Sequence, residues 1–389
     1  MNILEESKDL YPQLLTYRRH IHKNPELSFH EHHTSAYIRS VLSELGIEHR
    51  VIGTTGVVAH IGNGERCVAL RADIDALPIV EETGLEYSST NDGVMHACGH
   101  DCHTAMLLGA AHILKKYESS IHGTVKLVFQ PGEEKSPGGA SILLNEGLFD
   151  ERPPEVIFGQ HVNPDARTGI AEFVSGPMMA SADELYWTLT GYGAHAAQPH
   201  KGKDPILAAA ELIQHLQSLV TRQRNPLDAG VITITSIHGG SATNIIPDTV
   251  EIKGTLRSFN EEWRWATLKR IEEHSSLLCS LHGVESSFTP VIGYPALVND
   301  QSATEFIRAA SANVMNTSSL HDFEPKMWAE DFAFYAQRIP AVFWMLGVNP
   351  SDETIMPGLH NAKFSPDESA LPIGTALLVN SALQWLQKS

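Results

Sequence analysis

The chain has 389 residues, 42% hydrophobic and 19% charged, and 28 Lys+Arg against 46 Asp+Glu give a formal net charge of −18. A chain this long buries roughly 75% of its unfolded surface and, at about 150 residues per domain, folds as two to three domains without help from disulfides. The acidic balance, with no long basic run, excludes a protein that grips nucleic acid or an anionic membrane through a general positive field.

Glu5, Glu6 and Asp9 stand where a signal peptide needs a basic start and an apolar run, and no apolar stretch reaches the roughly 20 residues of a spanning helix. A soluble cytoplasmic protein is expected, and its four cysteines (Cys67, Cys98, Cys102, Cys279) are too few for a disulfide framework. Glu6 to His22 has a helical period. Strands are expected at Gly56–Ile61 and Arg66–Ala72, a helix at His103–Tyr117, and a β-branched, mostly buried strand at Thr124–Gln130. A helix at Gly138–Glu146 and a strand at Val156–Val162 follow. Strands alternating with helices predict an α/β domain with a mainly parallel central sheet covered by helices.

From about Asp183 to Pro290 the order changes to strand (ELYWTLTG), helix (Asp204–Val220), two strands (VITITSIH, DTVEIKGTLRSF), helix (Asn260–Leu281) and a short strand (VESSFTP). This β-α-β-β-α-β order predicts a ferredoxin-like α+β domain. After Tyr294 the first pattern resumes, with an apolar strand at Ala341–Gly347. Residues 1–182 and 294–389 are therefore expected to form one α/β domain, interrupted by an inserted domain at 183–293.

The densest chemistry lies in Met95–Thr104, MHACGHDCHT, between a loop and a helix start. Cys98 and His100, one residue apart, can send a thiolate and an imidazole to one side of an extended loop, where they converge on a transition metal. The plainer alternative makes Cys98 a small buried residue and Asp101 or Thr104 a helix cap. Asp101 also fits a supporting carboxylate or a bridging ligand, and the spacing does not choose between them. Glu133 and Glu134 follow the strand Thr124–Gln130 in QPGEE, at the sheet edge where open α/β folds bind ligands. Their side chains diverge, so one can bind a metal while the other acts as general base; an exposed acidic turn is the alternative. His161 (FGQHV) and His360 (GLHN) each close an apolar segment, a place more often held by a structural histidine than by a ligand.

Taken together, LRADIDALP (Leu70–Pro78), MHACGHDCHTAMLLGAA, QPGEE, GQHV, GYGAHAAQPH (Gly191–His200), NIIPDTVEIKGTLRSF and GLHN closely resemble the M20 metallopeptidase superfamily. More narrowly they resemble its subfamily D, the N-acyl-L-amino-acid amidohydrolases that include hippurate and auxin-conjugate hydrolases. The likeness runs in order from RRHIHKNPELSF near the start to the final helix. It implies a metal-dependent amidohydrolase with two divalent ions per subunit, held by Cys98, His100, Glu134, His161 and His360. Zn²⁺ or Mn²⁺ is implied, with Co²⁺ and Ni²⁺ also compatible.

The resemblance further makes Glu133 the general base and His195 the residue of the inserted domain that stabilises a developing oxyanion, commonly in a partner subunit's site. Asn244 and Arg257 match positions that hold the substrate carboxylate, and Glu330 and Asp331 fall on a supporting motif. The inserted domain becomes a lid and dimerisation domain, and the protein a homodimer or higher homo-oligomer acting on a small N-acyl-amino acid. Relatives usually carry Ala at Gly132, Gly at Ala194 and a small residue at Cys102. Gly132 would loosen the turn that bears the base, and Cys102 could pair with Cys98 under oxidation. Two other readings use the same fold. One is a dipeptidase, carboxypeptidase or N-acetyl-diaminopimelate-type deacetylase with this same site, and the other a non-catalytic metal or small-molecule binding protein.

Overall fold

The expected first helix is two, Ile3–Asp9 and Tyr11–Lys23, because Pro12 in the first turn of the second has no N–H to continue the ladder. This computed structural model describes residues 2–351 and 356–388. Contacts along the chain divide it into two units, Met1–Met178 with Val298–Pro325 and Asp331–Ser389, and Met179–Leu297 with Lys326–Glu330. Lys326–Glu330, which the sequence pattern left with the flanking segments, is grouped with the second unit.

The first unit is built on an eight-stranded sheet. Its strands run in the order His49–Ile52, Gly56–Ile61, Thr124–Gln130, Cys67–Asp73, Val156–Arg167, Ala341–Asn349, Ala171–Phe173 and Leu320–Asp322. The four middle strands, from Thr124–Gln130 to Ala341–Asn349, are mutually parallel. Antiparallel pairings attach the two strands on one side and Ala171–Phe173 on the other. Every residue of Cys67–Asp73 and Thr124–Gln130 is buried, as a strand covered on both faces must be. Helices Tyr11–Lys23, His100–Lys116 and Leu371–Gln387 pack together, and the latter two also rest on the sheet. Leu70, Leu107, Leu127, Phe158, Trp344 and Leu377 form part of the resulting core.

The register places the chemistry. Asp73 stands opposite Gln130, and Arg71 opposite both Val128 and Gly159. His161, two residues past Gly159, therefore lies level with Asp73, so the carboxyl ends of two parallel strands and the middle of a third meet at one edge. That is the edge where the sequence put its ligand candidates.

In the second unit four antiparallel strands run in the order Gly230–His238, Thr249–Ser258, Asp183–Thr190 and Glu285–Ile292. Helices Pro205–Thr221 and Glu261–Leu281 follow the first and third strands in the chain, which is the ferredoxin-like order. Asp183–Thr190 alternates, burying Leu185, Trp187 and Leu189 with Leu212, Leu216 and Ile271 of the helices. Asp204 and Asn260 cap the two helices by accepting from N–H groups of the first turn. Arg264 makes a two-pronged pair with Asp183 at 2.6 and 2.7 Å, joining the second helix to the first strand. Among the described residues no helix is long and apolar enough to cross a membrane.

Candidate metal centre

Cys98 precedes a helix, His100–Lys116, that starts three residues before the expected His103. Gly99 between them has φ of 80°, and a Cβ there would overlap Val162, so the loop lies directly on the strand that carries His161. Cys98 Sγ accordingly stands 3.4 Å from His161 Nε2. His360 is held in a left-handed conformation (φ 61°) while its N–H donates to the Ala97 carbonyl at 2.8 Å. Its Nε2 is 3.2 Å from Glu134 Oε1. Three overlapping groups have donor atoms within 4.8 Å of one another: Cys98, His100 and His161; Cys98, Glu134 and His360; and His100, Glu133 and Glu134. The structure thus brings together all five expected ligands and the expected base.

The tautomers follow from the partners. His161 Nδ1 lies 2.8 Å from the Val162 carbonyl, which can only accept, so Nδ1 carries the proton and Nε2 offers its lone pair toward Cys98. His100 Nδ1 likewise donates to the Asp75 carbonyl at 3.0 Å, which leaves Nε2 as the nitrogen a metal would take. His100 Nε2 and Glu134 Oε1 are buried without a well-aligned hydrogen bond. Burial pushes the Cys98 thiol well above its ordinary range, and the Glu134, Glu133 and Asp73 carboxylates push it further. Burial lowers His100, but Asp73, Asp75 and Glu134 outweigh it and hold the imidazole at about 10. Buried polar atoms without a partner, a thiol held protonated and carboxylates gathered around one imidazole are what a divalent cation relieves by displacing protons from Cys98 and His100, so the residues fit a metal.

Behind this set lies a layer the sequence reading did not single out. Asp75 places Oδ1 3.2 Å from His100 Nδ1, while its Oδ2 accepts from Glu134 N–H at 3.0 Å and Ser28 Oγ at 2.6 Å. One carboxylate therefore orients two ligands. His103 Nδ1 donates to Asp73 Oδ1 at 2.6 Å, and its Nε2 accepts from Val162 N–H at 2.9 Å, which occupies that lone pair. His103 is thus a brace for the His161 strand. The signal was in view, because the alternation in RADID puts Asp73 and Asp75 on one side. Asp101 turns elsewhere: its Oδ2 accepts from Arg18 Nε and His22 Nδ1, each at 2.8 Å.

Glu133 is 7% exposed, and its Oε1 lies 3.4 Å from Asp331 N–H. Gly132 does not loosen this turn. Its φ is 58°, and a Cβ would overlap the Phe29 ring, so glycine lets the ring close against the backbone. Gly132→Ala is expected to destabilise the protein by about 1–3 kcal/mol through overpacking and left-handed strain, read as a lower urea midpoint at unchanged m-value. An unchanged midpoint would refute the close fit. Cys98 and Cys102 are both free and buried.

The remaining expected site residues belong to the second unit. His195 is exposed and pairs with Ile245, and Asn244 beside it accepts from Ala196 N–H at 3.0 Å, so these two are neighbours. Arg257, on Thr249–Ser258, is partly buried and donates to Thr255 Oγ1 and to the Leu256 carbonyl.

A family model described as peptidase family M20/M25/M40 matches residues 69–384. The chain is 40% identical to an N-acetyl-L-cysteine deacetylase of Bacillus subtilis (strain 168), over 98% of this chain and 90% of that protein. It is 38% identical to the IAA-amino acid hydrolase ILR1-like 4 of Arabidopsis thaliana, over 98% of this chain and 88% of the relative. A Bacillus subtilis crystal structure described as a dinuclear metal-binding peptidase of family M20 superposes with a TM-score of 0.84 at 33% identity, covering 98% of this chain and 100% of that one.

Proposed function

This chain belongs to peptidase family M20/M25/M40 and is a metal-dependent amide hydrolase, and from that premise we propose that it releases amino acids from N-acyl-amino acids. The observation that carries the reading is the convergence of Cys98, His100, Glu134, His161 and His360, with buried polar atoms of His100 and Glu134 left without a hydrogen bond, beside a further buried carboxylate, Glu133. The five donors would hold two divalent ions. One sulfur, three imidazoles and a carboxylate suit Zn²⁺ and admit Mn²⁺, Co²⁺ or Ni²⁺. The bound ions supply Lewis acidity, which makes water a competent nucleophile near neutral pH and polarises the amide carbonyl.

This chain's residues do the rest. Glu133 takes the proton of the attacking water and returns it to the departing amine. His195 donates to the oxygen that gains charge, and Arg257 with Asn244 holds the α-carboxylate of the amino-acid half. We assign the second unit the role of a lid and dimerisation domain, with His195 completing the site of a partner subunit. The names of the two relatives support an acyl group joined to an amino acid as the substrate class, acetyl in one and indoleacetyl in the other.

The test is hydrolysis of N-acetyl, N-benzoyl, longer N-acyl and indoleacetyl amino acids beside dipeptides, after chelation and again after Mn²⁺, Co²⁺, Ni²⁺ or Zn²⁺ is restored. Metal-dependent release of amino acid from the acylated members is expected, and the ranking describes the acyl pocket. Turnover of dipeptides alone would move the assignment to a dipeptidase.

A further inference from the structure

Glu31 is 0% exposed, and its carboxylate meets two backbone N–H groups and one hydroxyl. Oε1 accepts from Phe29 N–H at 2.8 Å and from Gly132 N–H at 2.8 Å, and Oε2 accepts from Thr55 Oγ1 at 2.6 Å. The residue holds the N-cap position of the helix His32–Glu44, where a side chain ordinarily accepts from its own first turn, yet it makes no such bond. Its hydrogen-bonding capacity goes instead to the loop before it and to two segments distant in sequence.

Backbone strain gathers around the same carboxylate. Phe29 has φ of 68°, Thr54 of 70° and Gly132 of 58°, and the first two carry side chains that disfavour this region, most severely the β-branched threonine. Each of the three is bonded to Glu31 or adjoins a residue that is. The turn after Thr124–Gln130 is crowded from other sides as well, since a Cβ at Gly139 would collide with the Pro131 carbonyl and one at Gly56 with the Pro131 ring. Strained residues persist where their surroundings over-determine them, and here they surround the turn that bears Glu133 and Glu134.

We propose that Glu31 is a positioning residue for amide hydrolysis, its buried carboxylate clamping the Gly132 backbone so that Glu133 and Glu134 project into the metal centre. The inference rests on the roles proposed above for those two residues. The clamp works through hydrogen-bond acceptance, so a neutral acceptor of the same shape fulfils it. Gln in place of Glu31 presents its carbonyl oxygen to both N–H groups and its amide NH₂ to the Thr55 hydroxyl.

The test compares Glu31→Ala and Glu31→Gln in the metal-loaded, full-length protein. Glu31→Ala is expected to lower kcat by about 10²-fold with little change in KM, because a shift near 1 Å in a reacting group costs that much. It should also release metal about 10-fold more readily to a competing chelator, through the displaced Glu134. Glu31→Gln should restore both properties to near the parent values. Parent-like kcat and metal retention in Glu31→Ala overturn the proposal, and so does a Glu31→Gln protein as impaired as Glu31→Ala. If Glu31→Ala does not fold, Thr55→Val frees one carboxylate oxygen and carries the test. A several-fold lower kcat at unchanged thermal midpoint supports the clamp, and an unchanged kcat overturns it. Glu133→Gln is measured alongside: full turnover there removes the base assignment, while metal retention in Glu31→Ala still decides the clamp.

Discussion

Glu133→Gln is expected to lose about 10²–10⁴-fold in kcat, the usual contribution of a positioned general base, while metal content stays at the parent value. Glutamine keeps the volume and the hydrogen-bonding outline of the side chain, so the turn and its approach to Asp331 N–H at 3.4 Å survive. What disappears is the capacity to take a proton. Glu133 follows Gly132, whose backbone is fixed, and precedes Glu134, whose N–H is held by Asp75. Substitution at 133 therefore changes chemistry at a rigid point. The comparison needs metal analysis of the same preparation, because a variant that had lost its ions would be inactive for another reason. Turnover within about tenfold of the parent, with ions in place, would falsify the assignment.

Arg71→Ala is expected to cost about 3–5 kcal/mol in the stability of the metal-free protein. The guanidinium is 1% exposed and uses all its edges: Nη1 donates to Asp73 Oδ2 at 2.7 Å, Nη2 to Asp331 Oδ1 at 2.9 Å and Nε to Gln130 Oε1 at 2.9 Å. Asp331 also accepts from Gln130 Nε2 and Ala140 N–H, and both aspartates are 0% exposed. Removing the cation takes its charge from two buried carboxylates, leaving Asp73 to His103 and Asp331 to Gln130 and Ala140, so their desolvation cost is less well compensated. Lysine does not replace the fork, because an ammonium is a point charge without the planar spread that reaches three acceptors. Urea denaturation of both variants beside the parent measures this, and a loss below about 1 kcal/mol would mean that the aspartates find other partners.

Of the candidate ligands, Cys98 and His100 stood out in the sequence by their spacing, whereas His161 and His360 read locally as structural histidines and joined the set only through the family resemblance; the strands that lead to the site are plain β-branched runs. Gly56–Ile61 and Thr124–Gln130 fall where the pattern put them. Val156–Arg167 runs five residues past its expected end, into a stretch containing Pro164 that local pattern discounts. Less visible were residues whose roles depend on distant partners. Glu31 and Gly132 are 101 positions apart, and Arg71 and Asp331 are 260 apart, so no local periodicity joins them. Gly132 itself pointed the wrong way, toward a looser turn. A glycine frees the backbone only where nothing fills the space it leaves, and Phe29 fills it.

The helix His100–Lys116 buries 14 of its 17 residues, and its first turn starts inside the candidate metal centre. Nearly every position along it is a core position, so substitution there is paid in folding before it can alter the chemistry. Sequence change has little room on this element. Less buried parts of the molecule can change without unfolding it, while this helix keeps its first residue, His100, fixed in place.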